Sequence, residues 1–217
     1  MKAEKVWAVI PAYNEGKNIS GIIRKTSQYV ENILVVDDGS RDNTKEAAEE
    51  AGAMVIHHII NLGKGATLKT GCDYAIKSGA RYIIVLDADA QHNPKDIPRF
   101  IEKLKRFEIV FSYRKSSRKM PLVLRFGNWF ISNVVNLLYG VKLSDTQCGF
   151  RAFSSDAYKK IRWNASDYSM ESEMIAKAGK QKLKYVQIPI QTILLMEEWL
   201  RILIVCSKAT TIPIFIM

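Results

Sequence analysis

The sequence predicts an α/β fold, a mainly parallel central sheet with helices on both faces, and three observations carry that prediction. Short, almost wholly apolar runs recur through the first half of the chain, as in strands buried on both faces. Each is separated from the next by a segment long enough for a helix, the spacing of βαβ units. Several of the runs end in polar, acid-rich loops, and in such sheets ligands gather beyond the carboxyl ends of the strands.

Taken in order, Val6 to Ile10 reads as a buried strand closed by Pro11, with a polar helix start at Asn14 to Asn18. Ile33 to Val36 repeats the pattern and stops at Asp37-Asp38-Gly39-Ser40. Asp42-Asn43-Thr44 can cap a helix running to about Ala51, Met54 to His57 gives a third short strand, and Lys64 to Ser78 is helical with Gly63 and Gly65 at its mouth. Tyr82 to Leu86 is the next strand, ending at Asp87-Ala88-Asp89. Pro94 opens a helix and Ile109 to Ser112 makes another strand. From Pro121 the pattern is less regular.

With 217 residues, 47% hydrophobic and 25% charged, the chain suits one well-cored domain and neither a disordered tail nor a polytopic membrane protein. The net charge of +10 expects an anionic partner: lipid head groups, nucleic acid or a phosphorylated substrate. Cys72, Cys148 and Cys206 have no zinc-like spacing and point to a reduced compartment, while the polar start Met1 to Lys5 shows no secretory signal, so a cytoplasmic catalytic part is expected.

Asp87-Ala88-Asp89 with Gln91 puts three oxygen-bearing side chains at alternate positions leaving a strand, where they can converge on one hard cation, Mg²⁺ or Mn²⁺. A cation shared with a diphosphate needs only one or two protein carboxylates, because phosphate oxygens and water complete the octahedron. The competing reading is a helix cap and solvated turn before Asn93-Pro94. Asp37-Asp38-Gly39-Ser40 offers carboxylates to a nucleobase or ribose, or else forms an Asx-turn with Gly39 at positive φ. Pro11-Ala12-Tyr13-Asn14-Glu15 offers an aromatic edge and a carboxylate to a nucleotide, or is a helix entry with an acidic first turn. Lys64, flanked by glycines before a helix, can touch phosphate or be a plain loop lysine. Glu171 and Glu173 are expected on the solvated face of a helix from Met170 to Ala178, and His57, His58 and His92 lack metal-ligand spacing.

Occurring in this order, Val9-Ile10-Pro11-Ala12-Tyr13-Asn14-Glu15, Val35-Val36-Asp37-Asp38-Gly39-Ser40, Asn61-Leu62-Gly63-Lys64-Gly65, Asp87-Ala88-Asp89-Ala90-Gln91-His92 and Asp145-Thr146-Gln147-Cys148-Gly149-Phe150-Arg151 resemble the family-2 inverting glycosyltransferases of the GT-A fold. Within them the likeness is to the dolichyl-phosphate mannose or glucose synthase-like group, and it spans most of residues 6 to 153. The resemblance implies a GT-A domain over 1–193, with Pro11, Tyr13, Glu15 and Asp38 lining a nucleotide-sugar pocket and Val36 and Asp37 beside them. It implies that Asp87, Asp89 and Gln91 handle the donor diphosphate and a Mg²⁺ or Mn²⁺ ion, with Lys64 near phosphate.

Arg114 and Arg125 stand at positions resembling the group's acceptor-phosphate arginines; otherwise they are part of a solvated basic stretch. Asp145 is expected on the acceptor side, or as a turn cap; where the acceptor is a hydroxyl, a carboxylate in this region can serve as base. Transfer from GDP-mannose or UDP-glucose to a polyprenyl phosphate such as dolichyl phosphate is thus the leading expectation. A glycan or polysaccharide hydroxyl acceptor is the alternative. A nucleic-acid-binding domain explains only the charge, since strand-end aspartates would repel phosphate, so no nucleic-acid partner is expected. The oligomeric state is left open.

The apolar run from Leu122 to Leu138 carries a polar stripe of Arg125, Asn128, Ser132 and Asn136, which suits a helix over the acceptor entrance or a core helix. In the last segment, 194–217, Arg201, Lys208 and Pro213 interrupt what would have to be about 20 apolar residues to span a bilayer. Trp199 to Val205 reads as an interfacial amphipathic stretch at the cytoplasmic membrane surface, or as a helix docked on the core. After Ile188-Pro189-Ile190 the basic Gly-Glu-Ser-Lys-like loop usual in the group is missing, so the acceptor is held differently or the tail is altered.

Overall fold

The computed structural model, which describes residues 5–114, 139–146 and 148–191, places seven strands in one sheet. They are β1 (Val6–Ala12), β2 (Asn32–Asp37), β3 (Met54–His57), β4 (Tyr82–Val85), β5 (Ile109–Arg114), β6 (Arg151–Ser154) and β7 (Tyr185–Ile190). The helices are α1 (Ile19–Thr26), α2 (Thr44–Glu50), α3 (Lys64–Lys77), α4 (Ile97–Leu104), α5 (Ser155–Ile161) and α6 (Met170–Lys180). Arg125, Gln147 and the expected amphipathic segment 194–217 lie outside the described residues.

The sheet order is β3-β2-β1-β4-β6-β5-β7, and every pairing is parallel except the two made by β6. The apolar runs are continuous because both faces are covered. Trp7, Val9, Leu34, Val36, Ile83 and Val85 join a core with residues of α3, α5 and α6, whereas Ala8, Ile10, Ile33, Val35 and Ile84 join one with α1, α2 and α4. This is the expected α/β architecture of the GT-A type.

Two features of the topology place the site. Strand order reverses at β1, whose neighbours are β2 and β4, so the crevice past the carboxyl ends of β1 and β4 is the switch point at which such sheets bind ligands. Antiparallel β6 begins where β4 ends, with Arg151 opposite Val85 on one side and opposite Phe111, midway along β5, on the other. The segment leading into β6 is thereby delivered to the edge at which Asp87 leaves β4.

Away from that edge, Asp73 of α3 ties α5 to the domain. Tyr158, 1% exposed, donates to Asp73 Oδ1 at 2.8 Å, and Arg162 donates through Nε and Nη2 at 2.9 and 2.7 Å. Burial works to raise the Asp73 pKa, but Arg162 and Tyr158 outweigh it and hold the carboxyl below its usual range. Asp73→Ala strands a buried hydroxyl and is expected to cost about 1–3 kcal/mol, read as a lower midpoint in urea unfolding at neutral pH. Because the folded pKa is depressed, this contribution is complete above the unfolded carboxylate range and is lost as pH falls through the folded value. Among the described residues, no helix is long and apolar enough to cross a membrane.

Candidate active site

Past the ends of β1, β2 and β4 lies a cleft of about 430 Å³ lined by Pro11, Tyr13, Glu15, Asp38, Lys64, Asp87 and Asp89, together with Ala12, Asn61, Gly63, Thr67, Ala88 and Tyr168. The volume suits a small-molecule ligand. Seven residues expected from four separate motifs thus meet in one place.

The β1 and β2 loops are stitched to each other. Asn14, at φ +56°, donates its N–H to Ser40 Oγ at 2.8 Å and accepts the Arg41 N–H on its side chain at 2.9 Å. The N–H of Glu15 donates to Thr44 Oγ1 at 2.8 Å and that of Gly16 to Asp42 Oδ2 at 3.1 Å. These bonds fix Tyr13, 46% exposed, and Glu15 at the mouth.

Asp38 organises the opposite wall. Its Oδ1 accepts from the Leu62 N–H at 2.9 Å and lies 2.8 Å from His58 Nδ1; Oδ2 accepts the Gly63 N–H at 2.8 Å. Burial works to raise its pKa, but these partners hold the carboxylate below its usual value. Gly63, at φ +93° and ψ 156°, adopts a conformation natural only to glycine and turns the chain into α3, setting Lys64 as its first residue. Asp38 therefore serves the cleft twice, as a lining carboxylate and as the anchor of the turn carrying Lys64.

Asp87 and Asp89 leave β4 on a loop in which Ala90 has φ +60°. Lys64 Nζ is 2.9 Å from Asp87 Oδ1, and His92 Nε2 is 3.6 Å from Asp87 Oδ2. Although desolvation pushes the other way, Lys64 and His92 hold the Asp87 carboxyl far below the carboxylate range. Asp89 moves in the opposite sense: burial first, then the charge of Asp87, raises its pKa. Its Oδ1 accepts the Gln91 N–H at 2.9 Å.

The donor set fits a divalent cation held jointly with a diphosphate. Both carboxylates face the cleft, and Asp87 Oδ1, though buried and within ion-pair distance of Lys64, has no hydrogen bond of good geometry. Among the described residues no group of three or more His, Cys, Asp or Glu side chains is arranged as a metal cage, so phosphate oxygens and water would supply the other ligands.

Gly149 packs directly against the Asp87 carboxylate. A Cβ there would lie 2.0 Å from Asp87 Oδ2. Gly149→Ala is expected to displace that carboxylate and lower kcat roughly 100-fold, with an unchanged far-ultraviolet circular dichroism spectrum as the check on folding.

Several expected residues are placed differently. Val36 is fully buried in the core, packed toward Gly71, because its side chain points from the sheet into the layer of α3. Asp37, 1% exposed, does not line the cleft; it accepts from the Ser40 N–H at 3.1 Å and lies 2.8 Å from His57 Nδ1, shaping the turn behind it. The Gln91 side chain is not among the groups lining the cleft with Asp87 and Asp89, and the residue reaches that pair through its backbone. Arg114 and Asp145 form their own pair, Nε to Oδ2 at 2.7 Å and Nη2 to Oδ1 at 3.4 Å. Asp145 is 4% exposed while the Arg114 side chain keeps 33%.

Glu171 corrects the expectation of a solvated helix face. It is 6% exposed, with Oε1 3.5 Å from Lys64 Nζ and Oε2 3.4 Å from Arg151 Nη2. Glu173 caps a loop, accepting the N–H groups of Asn164 and Ala165 at 2.9 and 3.0 Å. Tyr168, which nothing in the sequence singled out, places its ring 5.4 Å from Lys64 Nζ. The three histidines each sit on a motif aspartate, His57 on Asp37, His58 on Asp38 and His92 on Asp87. The signal for the first was the strand register, which sets His57 opposite Asp37.

Carboxylates at a switch point would repel a phosphorylated nucleotide on their own, but with a lysine in contact and room for a cation they define the class of sites that bind a nucleoside diphosphate together with a metal. The model of Glycosyl transferase family 2 matches residues 7–162, and the chain belongs to that family. It is 35% identical to a UDP-N-acetylglucosamine–dolichyl-phosphate N-acetylglucosaminyltransferase of Methanococcus voltae over 89% of this chain and 87% of that one. It is 26% identical to an undecaprenyl-phosphate mannosyltransferase of Micrococcus luteus, over 86% and 82% respectively. Among solved structures, glucosyl-3-phosphoglycerate synthase of Mycobacterium tuberculosis, crystallised with Mn²⁺, UDP and glucosyl-3-phosphoglycerate, superposes with a TM-score of 0.70 at 21% identity, covering 92% of this chain and 75% of that one, a likeness of fold.

Proposed function

We propose that this glycosyltransferase moves a hexose, with inversion, from a UDP- or GDP-linked donor such as UDP-glucose or GDP-mannose to the phosphate of a polyprenyl lipid such as dolichyl phosphate. The observation that carries the reading is the Arg114–Asp145 pair. Asp145 is the carboxylate that would deprotonate a hydroxyl acceptor, yet both its oxygens face the Arg114 guanidinium. An acceptor phosphate is already ionised at neutral pH and needs no base; it needs a cation to bring it toward a second anion. Arg114 supplies that cation, with Asp145 orienting its fork. The relatives from Methanococcus voltae and Micrococcus luteus, whose names give different sugars but both a polyprenyl phosphate, support the same acceptor.

In this mechanism the cleft binds the nucleoside diphosphate, with Tyr13, Glu15 and Asp38 on the nucleoside side and Lys64 within reach of the phosphates. Asp87 and Asp89 would hold Mg²⁺ or Mn²⁺, which when bound would neutralise the charge gathering on the departing diphosphate. An acceptor phosphate oxygen forms the new bond to the anomeric carbon as the bond from that carbon to the donor β-phosphate oxygen breaks, giving a lipid phosphodiester and a free nucleoside diphosphate. Arg114 draws the acceptor phosphate against the repulsion of the donor. A lipid acceptor places the work at a membrane surface, which the net charge of +10 suits.

The test is a panel of UDP- and GDP-sugars with Mg²⁺ or Mn²⁺, each with polyprenyl phosphate or with sugar hydroxyl acceptors. Lipid-linked product from one donor is the expected result. Transfer to hydroxyls with none to the lipid phosphate would overturn the reading.

A further inference from the structure

We propose that Lys64 is a placeholder cation, whose ammonium occupies the Asp87 carboxylate when no donor is bound and makes divalent metal binding conditional on the nucleoside diphosphate. The proposal rests on the reading of Asp87 and Asp89 as metal ligands.

Lys64 Nζ is 2.9 Å from Asp87 Oδ1, one of the oxygens a metal would take, and 3.5 Å from Glu171 Oε1. Lys64 thus sits between the carboxylates of Asp87 and Glu171, two opposite charges that favour its ammonium form in this position. Glu171 is held in turn by Arg151, 3.4 Å away. Around Asp87 and Asp89, three carboxylates counting Glu171 thus face two buried or half-buried cations, Lys64 and Arg151, with His92 Nε2 3.6 Å from Asp87 Oδ2. A bare divalent ion arriving here meets an ammonium in contact with its own ligand, and like charges at that separation oppose its entry.

The backbone on either side of Lys64 is closely packed. A Cβ on Gly63 would lie 2.5 Å from the Ser166 carbonyl oxygen, one on Gly65 would lie 2.4 Å from that of Ala165, and the Gly65 carbonyl accepts from Trp163 Nε1 at 2.8 Å. With the main chain packed in this way, the exchange is assigned to the side chain. It lines the cleft and has the Tyr168 ring 5.4 Å from Nζ, an aromatic face that can share the ammonium once it leaves Asp87. A diphosphate provides both halves of the exchange, anionic oxygens that draw the lysine away and further ligands for the metal. Metal and diphosphate then raise each other's affinity by the same factor, as linkage requires.

The test is titration of Mn²⁺ by electron paramagnetic resonance, alone and with UDP or GDP, on the wild type, Lys64→Met, Lys64→Gln and Lys64→Arg, with thermal melts confirming folding. In the wild type the nucleotide is expected to tighten Mn²⁺ binding roughly 5- to 150-fold. Lys64→Met and Lys64→Gln are expected to bind Mn²⁺ alone more tightly than the wild type and to lose most of that coupling, and Lys64→Arg to retain it. Uncharged variants that bind Mn²⁺ alone no better than the wild type, with the coupling intact, would overturn the proposal while leaving the metal site standing. A wild type that binds no Mn²⁺ even with nucleotide would overturn the metal reading and the proposal with it.

Discussion

Replacing Asp87 with asparagine is expected to lower sugar transfer roughly 1,000-fold or more while leaving the fold unchanged. Asparagine keeps the volume of the side chain beside Gly149, so the packing of this loop against Gly149 is preserved. What disappears is the firmly ionised carboxylate against which Lys64 and His92 are set. The loss should appear in kcat and in metal dependence more than in the affinity for free nucleoside, because the proposed nucleoside contacts are Tyr13, Glu15 and Asp38, which line the cleft beside it. Asp89→Ala should also be severely impaired. Donor hydrolysis and transfer that both survive it unchanged would sink the catalytic assignment of this loop.

The second large effect is expected at Arg114. Arg114→Ala removes the guanidinium and leaves Asp145, 4% exposed, without that counter-charge. Transfer to polyprenyl phosphate should fall roughly 100- to 1,000-fold in kcat/KM for the acceptor, while hydrolysis of the donor is spared. Lysine restores charge but not the two-pronged geometry and should recover only part of the rate. Asp145→Asn separates the acceptor classes. Loss of a general base costs typically 100- to 10,000-fold, whereas a residue that only orients an arginine should cost far less, with the deficit mainly in acceptor KM. The kinetics of both variants with lipid phosphate as acceptor provide the check.

The first half of the fold was legible because its information is local. Strands buried on both faces must be apolar throughout, and the turns at Asp37 to Ser40 and Asp87 to Asp89 announce the strand ends at which ligands bind. Read locally, Tyr13, Glu15, Asp38, Lys64, Asp87 and Asp89 were open candidates at those ends, and the resemblance carried by the ordered motifs is what gathered them, with Pro11, into one site. Strand β6 was not placed, since Arg151 to Ser154 is four residues with a buried arginine at its head, and nothing local shows that it runs against its neighbours. Glu171 was misread for a related reason. Helical periodicity assigns a glutamate to the wet face, but its partners Lys64 and Arg151 lie 107 and 20 positions away, and their charges make burial tolerable. Val36 and Asp37 show the limit of reading a motif as a block. Neighbouring residues of a strand point to opposite faces, so only part of Val35 to Ser40 can reach one cleft.

The most direct measurement of the central claim is phosphorus NMR of a complete reaction of enzyme, divalent metal, nucleotide sugar and polyprenyl phosphate. Hexose transfer to the lipid phosphate gives a new phosphodiester signal rising in step with free nucleoside diphosphate, and that is the expected result. A lipid pyrophosphate appearing with nucleoside monophosphate, or nucleoside diphosphate released while the lipid phosphate signal stays constant, would contradict it.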